Sequence, residues 1–252
     1  MNKIGYTLLI LAVIFVLAQG TSYLLTDNTY SPLSSDTILV IPVYGPIGLE
    51  NAGNSFIETT SVVADSLIKD LRDAEKDPNV KAIVLEINSP GGGAVASADI
   101  AHTVKSLNKT TYALIRDVGA SGAYWIASST DKIISSPMSI TGSIGVISSY
   151  LEFSELFEKY GVEYQRLVAG KYKDMGTPFK ELTNEERTKL ETKLGKIHTV
   201  FINEVVANRN IKPENIATIS TGEFFLGTEA QELGLVDSLG TKEEALEQIK
   251  QE

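Results

Sequence analysis

Ser121 sits among small residues, in Gly119-Ala120-Ser121-Gly122-Ala123, just ahead of the helix-like run Tyr124 to Ser128. A serine so placed is accessible, and the N–H that follows it is free to hold an anion. The same pattern also suits a plain helix-capping serine. It falls short of a nucleophile elbow, because Ala123 stands where G-x-S-x-G has its last glycine. Upstream, Gly91-Gly92-Gly93 joins a strand-like run to a helix-like one. Glycines there let backbone N–H groups face a ligand close to a helix start. No Gly-Lys-Ser/Thr follows, and the next glycine is Gly119, so neither a Walker loop nor a dinucleotide fingerprint fits. Alone, such a run is more simply a sharp turn.

A serine nucleophile needs a base. The chain has two histidines, His102 in the helix after the glycine run and His198 beside the apolar stripe of a long helix. Neither sits in a loop motif, and both read as structural or surface residues. Lysine is the remaining base, and Gly170-Lys171-Tyr172-Lys173-Asp174-Met175-Gly176 offers one. An ordinary lysine titrates near 10.4, so a lysine base must lose about three units to desolvation, worth roughly 4 kcal/mol. A lysine among glycines is more often simply solvated.

The elements that must position these residues follow from periodicity. Thr37 to Val43 reads as a buried strand, Thr59 to Lys76 as a helix with Val63, Leu67, Leu71 and Ala74 on one face, and Val80 to Ile87 as a second strand. Ala94 to Leu107 reads as a helix and Thr111 to Ile115 as a strand; Ile133-Ile134 and Ile144 to Ile147 read as short strands. Thr183 opens a long helix with Glu186 completing a capping box, and Leu190, Leu194, Ile197, Phe201 and Val205 form its stripe. Thr228 to Gly234 and Thr241 to Lys250 read as short helices around Leu235-Val236-Asp237. Strands alternating with helices argue for an α/β fold with a mainly parallel sheet.

The N-terminus adds a different signal. Ile4 to Leu25 carries no charge and Leu8 to Ala18 is apolar throughout, long enough to cross a bilayer. Lys3 lies before it and Asp27 after it, so the N-terminus is expected in the cytoplasm and the rest outside. A cleaved signal peptide ending near Ala18-Gln19-Gly20 is the alternative. The anchor is favoured because apolar character resumes at Tyr23-Leu24-Leu25. Residues 1–25 are thus expected as a transmembrane anchor, 26–36 as a polar linker and 37–252 as one folded domain. The chain has 252 residues, no cysteine and a net charge of −10. Disulfides and thiolate catalysis are excluded, and the basic footprint of a nucleic-acid binder is missing.

Asn88 to Gly93, Gly119 to Tyr124, Thr141-Gly142-Ser143-Ile144-Gly145-Val146 and Lys173 to Pro178 together resemble the signal peptide peptidase A family in its short form, Ser-Lys proteases of peptidase family S49. Gly222 to Gly227 and Glu232 to Asp237 are similar to that family's C-terminal region. The blocks run in family order over roughly residues 37 to 240, a specific match although each block alone is not. The resemblance implies a Clp-protease/crotonase-like fold, a repeated β-β-α spiral. It implies Ser121 as nucleophile and Lys173 as general base, with Ser143 orienting the lysine. It also implies Gly92 and Gly122 as oxyanion donors, with Gly91 in place of Gly92 left open. Residues 37–252 would then be a Ser-Lys protease domain needing no cofactor or metal.

The resemblance also implies signal peptides and other hydrophobic peptides as substrates, a cell-membrane location, and a ring-shaped homo-oligomer in which neighbouring subunits supply the Ser and Lys of one site. The Clp triad does not fit, since no histidine occurs between Ser121 and His198. A coenzyme A substrate, usual for crotonases, does not suit a chain exported past a membrane. A stomatin-operon-type Ser-Lys protease shares the fold, but the Lys173 motif and the C-terminal blocks favour the first reading. A non-catalytic membrane-tethered scaffold would predict a lost nucleophile or base, and both are present.

Overall fold

The strand expected at Val80 forms the centre of the fold, with Ala82 to Ile87 all buried. Alternate residues of such a strand point to opposite faces, so it must be covered on both. The computed structural model describes residues 37–50 and 61–251. The expected anchor, the linker 26–36 and the first residues of the helix expected from Thr59 lie outside the described residues.

In chain order the elements are β1 (Thr37–Tyr44), β2 (Ile47–Gly48), β3 (Val62–Val63), α1 (Ala64–Lys76), β4 (Val80–Ser89), α2 (Ala94–Lys105), β5 (Thr110–Ala120), α3 (Gly122–Ser128), β6 (Lys132–Ser135) and β7 (Ile140–Gly142). They continue as α4 (Ser154–Lys159), α5 (Asn184–Arg209), α6 (Pro213–Ile219), β8 (Phe224–Leu226), α7 (Gly227–Glu232), β9 (Ser238–Leu239) and α8 (Lys242–Gln251). The main sheet runs β1-β4-β5-β6-β9, and β7 joins it through β5 and carries β8. The β4–β5, β5–β6, β5–β7 and β6–β9 pairs are parallel, and β7–β8 is antiparallel. The expected α/β class with a parallel sheet is the one observed.

One face of the sheet carries Ile83, Leu85, Ile87, Ala113 and Ile115 against α1, α2, α3 and α5. The other carries Ala82, Val84, Tyr112, Leu114 and Ile134 against Ala245 and Ile249 of α8. Glu86 is buried at the edge of that second face, where Lys242 at the start of α8 lies 2.8 Å away and Arg116 3.5 Å away. Burial pushes the Glu86 carboxyl up, but hydrogen bonds from Lys242 and Tyr44 and the two positive charges outweigh it and hold the group below the usual carboxylate range.

Two departures from the sequence reading matter for the site. The chain expected as a strand over Ile144 to Ile147 has no regular structure; the strand lies earlier, at Ile140–Gly142. Gly142 and Ser143 both take positive φ, 76° and 50°, which swings the chain out of the sheet before Ile144. The second departure is in α1, where Val63 is not on the helix but ends β3, leaving Ala64, Leu67, Leu71 and Ala74 as the buried face. The capping box of α5 forms as expected, Thr183 Oγ1 accepting from Glu186 N–H while Glu186 accepts from Thr183 N–H.

Candidate active site

The sheet itself brings the glycine run and the serine together. β4 and β5 run parallel, so their C-terminal ends, and the loops that follow, emerge side by side. Their register slips between Ile87 and Ser89, where Asn88 Oδ1 accepts the Val118 N–H at 3.1 Å. Beyond that slip β5 exchanges partners: it pairs with β6 up to Ile115 and with β7 from Val118 to Ala120. The exchange brings Gly142 beside Ala120, one residue before Ser121.

Ser121 is the N-cap of α3 and holds φ 53°, ψ −126°, a conformation that costs a non-glycine residue on the order of 1–3 kcal/mol. Its N–H donates to Gly142 O at 2.8 Å and its carbonyl accepts from Trp125 N–H at 3.0 Å. The elbow is therefore held from both sides.

The glycine run is pinned to β2. Ile47 N–H donates to Gly91 O and Gly93 N–H donates back to Ile47 O, at 3.0 and 2.9 Å. A Cβ on Gly92 would stand 2.0 Å from Ile47 O, so only glycine fits that approach. Gly91 N–H is occupied by Ser89 Oγ at 3.1 Å. Among the described residues, the N–H groups of Gly92 and Gly122 make no hydrogen bond. Gly92 N lies 3.2 Å from the point a Gly122 Cβ would occupy, which sets the two free donors side by side.

Both glycines, Ser121 and Ser143 line one cleft of about 740 Å³. Its remaining wall is largely apolar, with Trp125, Val146, Ile147, Leu194, Ile197 and Phe201 among the lining residues. Trp125 and Phe201 stack with ring centroids 4.5 Å apart, tying α5 to α3 at the cleft. Glu204, one turn further along α5, accepts from Trp125 Nε1 at 2.7 Å and meets His102 at 3.0 Å.

Ser143 stands at φ 50° and its N–H donates to Glu223 O at 2.8 Å. Its hydroxyl, like that of Ser121, makes no hydrogen bond among the described residues. The structure thus brings Ser121, Ser143, Gly92 and Gly122 together. Lys173 is not among the residues lining their cleft. It is exposed, in the turn Gly170 to Gly176, and its side chain makes no ion pair among the described residues.

That turn belongs to a stretch unlike the rest of the chain. Every residue from Gly145 to Thr183 is at least partly exposed. Ile147, Leu151, Tyr160 and Leu167 are 90%, 72%, 71% and 95% exposed, which no isolated surface would favour. Phe179 meets Phe157 and Tyr164 at ring distances of 5.7 and 5.5 Å, and Arg166 holds Asp174 through Nε at 2.6 Å. The arm therefore has internal order without a core beneath it.

His198 is the cleft residue the sequence did not single out for the site. It lines the wall, and its Nε2 lies 2.9 Å from Ile144 O. Only its place beside the apolar stripe, one residue from Ile197, hinted at this. His102 is the surface residue expected.

Comparison with known families matches Peptidase family S49 over residues 103–252 and Clp protease over residues 56–140. A protein of Methanocaldococcus jannaschii named as a protease is 33% identical over 100% of this chain and 83% of its own length. One of Enterococcus faecium named as a signal peptide peptidase, SppA, is 32% identical over 92% of this chain and 68% of its own. The chloroplastic serine protease SPPA of Arabidopsis thaliana is 29% identical over 76% of this chain and 29% of its own.

Proposed function

Since this chain belongs to peptidase family S49 and is a serine-type peptidase, we propose that Ser121 is its nucleophile and that Lys173, delivered by a neighbouring copy of the chain, is its general base. The observation that carries the reading is Ser121 in its strained elbow, beside the unengaged N–H groups of Gly92 and Gly122. Gly91 is the weaker choice of donor, since its N–H already serves Ser89.

In the proposed reaction a neutral Lys173 takes the Ser121 proton as Oγ attacks a peptide carbonyl. The oxyanion accepts hydrogen bonds from Gly92 and Gly122 N–H, with the N-terminus of α3 behind them. Lysine then protonates the leaving amine, and water hydrolyses the acyl-enzyme. Ser143, held beside Ser121 through Gly142, orients the lysine. The absence of Lys173 from its own chain's cleft, and its place on an arm of exposed apolar residues, support a base supplied within a ring-shaped homo-oligomer.

Substrates in this reading are apolar peptides, signal peptides among them, because Val, Ile, Leu, Phe and Trp side chains make up most of the large groups of the cleft wall. The uncharged run over residues 4–25 anchors the chain in the cell membrane with the protease domain, residues 37–252, outside. In this reading that domain is a repeated β-β-α spiral. Among the described residues no helix is long and apolar enough to cross a membrane.

The test is hydrolysis of an apolar peptide by the full chain in detergent, comparing wild type with Ser121→Ala and Lys173→Ala. Both substitutions should abolish turnover while the oligomer persists. Near-full activity in Lys173→Ala would remove the proposed base.

A further inference from the structure

We infer that His198 is a positioning residue of this site, its Nε2–H holding the Ile144 carbonyl and so fixing the turn that presents Ser143 to the cleft. The inference rests on the reading of Ser121 and Ser143 given above.

The turn is one that the chain does not adopt unaided. Gly142 and Ser143 take positive φ in succession, and for a serine that region is disfavoured. Such backbone persists only where its surroundings over-determine it. Three hydrogen bonds do so here. Gly142 O accepts from Ser121 N–H, Ser143 N–H donates to Glu223 O, and Ile144 O accepts from His198. The first two join backbone to backbone and are indifferent to sequence. The third depends on one side chain.

His198 is well placed to carry it. It projects from α5 on the same side as Leu194, Ile197 and Phe201, all at the cleft. One and two turns further on, buried Phe201 and Val205 fix the helix against the core. The Ile144 side chain is itself fully buried, and Gly145 packs on Gly222, so the carbonyl between them has little freedom once it is held. The histidine thereby links α5 directly to the turn that carries Ser143.

The direction of the bond also decides what the ring does. A carbonyl only accepts, so Nε2 carries its proton in the neutral ring as well as in the charged one. In this arrangement Nε2 cannot take the proton of Ser121, and the contact is the same in both states of the ring. His198 acts through Ser143, by holding that carbonyl.

The experiment uses the full chain in detergent with an apolar peptide, comparing wild type, His198→Leu and His198→Gln, with Ser121→Ala in the same series. Leucine fills the space without a donor, whereas glutamine can offer an N–H to the same carbonyl. Expected is a fall in kcat of about tenfold for His198→Leu, with KM within about twofold, and recovery to within about threefold of wild type for His198→Gln. If the leucine variant does not fold, His198→Glu turns an oxygen toward the carbonyl, and kcat should fall at least as far. An unchanged kcat in the leucine or glutamate variant, with Ser121→Ala inactive, overturns the inference alone. A glutamine variant as slow as the leucine one overturns it too, since an N–H restored to the Ile144 carbonyl would then not restore the site. Turnover surviving in Ser121→Ala removes the underlying reading and the inference with it.

Discussion

The hydroxyl of Ser97 stands 2.2 Å from the point that a Cβ on Gly122 would occupy, and the same point lies 3.2 Å from Gly92 N. Ser97 is fully buried on α2, and its Oγ has no hydrogen-bond partner among the described residues. The proposed oxyanion donors are thus backed by a side chain with no slack behind it. Gly122→Ala should cost about 1–3 kcal/mol of stability by overpacking, together with most of the activity. Adding Ser97→Ala should restore part of the stability but not all, because Ser97 Cβ remains 3.0 Å from the new methyl. Denaturant unfolding of the two single variants and the double variant measures the coupling.

Mixing two inactive chains should regenerate activity. If one site takes Ser121 from one copy and Lys173 from the next, random co-assembly of Ser121→Ala with Lys173→Ala leaves about one site in four intact. Co-expressing the two variants and measuring peptide hydrolysis checks this; a rate near zero would place the serine and the base in the same chain.

Ile197 offers a way to alter selectivity without unfolding the protein. It lines the cleft and is 38% exposed, so a charge there is still reached by water. Ile197→Asp should lower kcat/KM for a peptide with an apolar residue at the cleavage point by about tenfold or more. The thermal midpoint should move little. A peptide series varying that residue reads the change.

Acid should loosen the helix that covers the second face of the sheet. The Glu86 carboxyl titrates lower in the folded chain than in the unfolded one, so its contribution is complete above the ordinary carboxylate range. It is lost as the pH falls through the depressed folded value. At neutral pH Glu86→Gln should be less stable by about 1–3 kcal/mol. That gap should close in acid, and thermal melts of both chains between neutral and acidic pH follow it.

The parts of the site that were legible in the sequence are those where glycine marks the backbone. Gly91 to Gly93 and Gly119 to Gly122 could be read because close approach leaves no room for a side chain, and glycine is how a sequence records that. The β4 and α2 spans were legible from apolar periodicity. The β7 strand was misplaced because Ile144 to Ile147 is the more strand-like string, and no propensity announces that Ser143 will take a positive φ. Strands β8 and β9 are too short for any period to register. The role of His198 was hidden for another reason: its partner is a backbone carbonyl from a distant part of the chain, and a carbonyl has no letter in the sequence. Lys173 could be proposed as the base only with the family motif, since its own chain gives it no ion-pair partner among the described residues.

The antiparallel pairing of Ile140–Gly142 with Phe224–Leu226 has a consequence for how the enzyme comes into being. Chains emerge from the ribosome N-terminus first. Ser121 and the glycine loop are made long before Glu223, whose carbonyl holds Ser143. A nascent chain therefore carries Ser121 for about two-fifths of its synthesis before Glu223 is there to hold Ser143. If Ser121 and Ser143 act as proposed, cutting competence arrives only when the last segments dock, and the growing polypeptide is shielded from premature self-digestion.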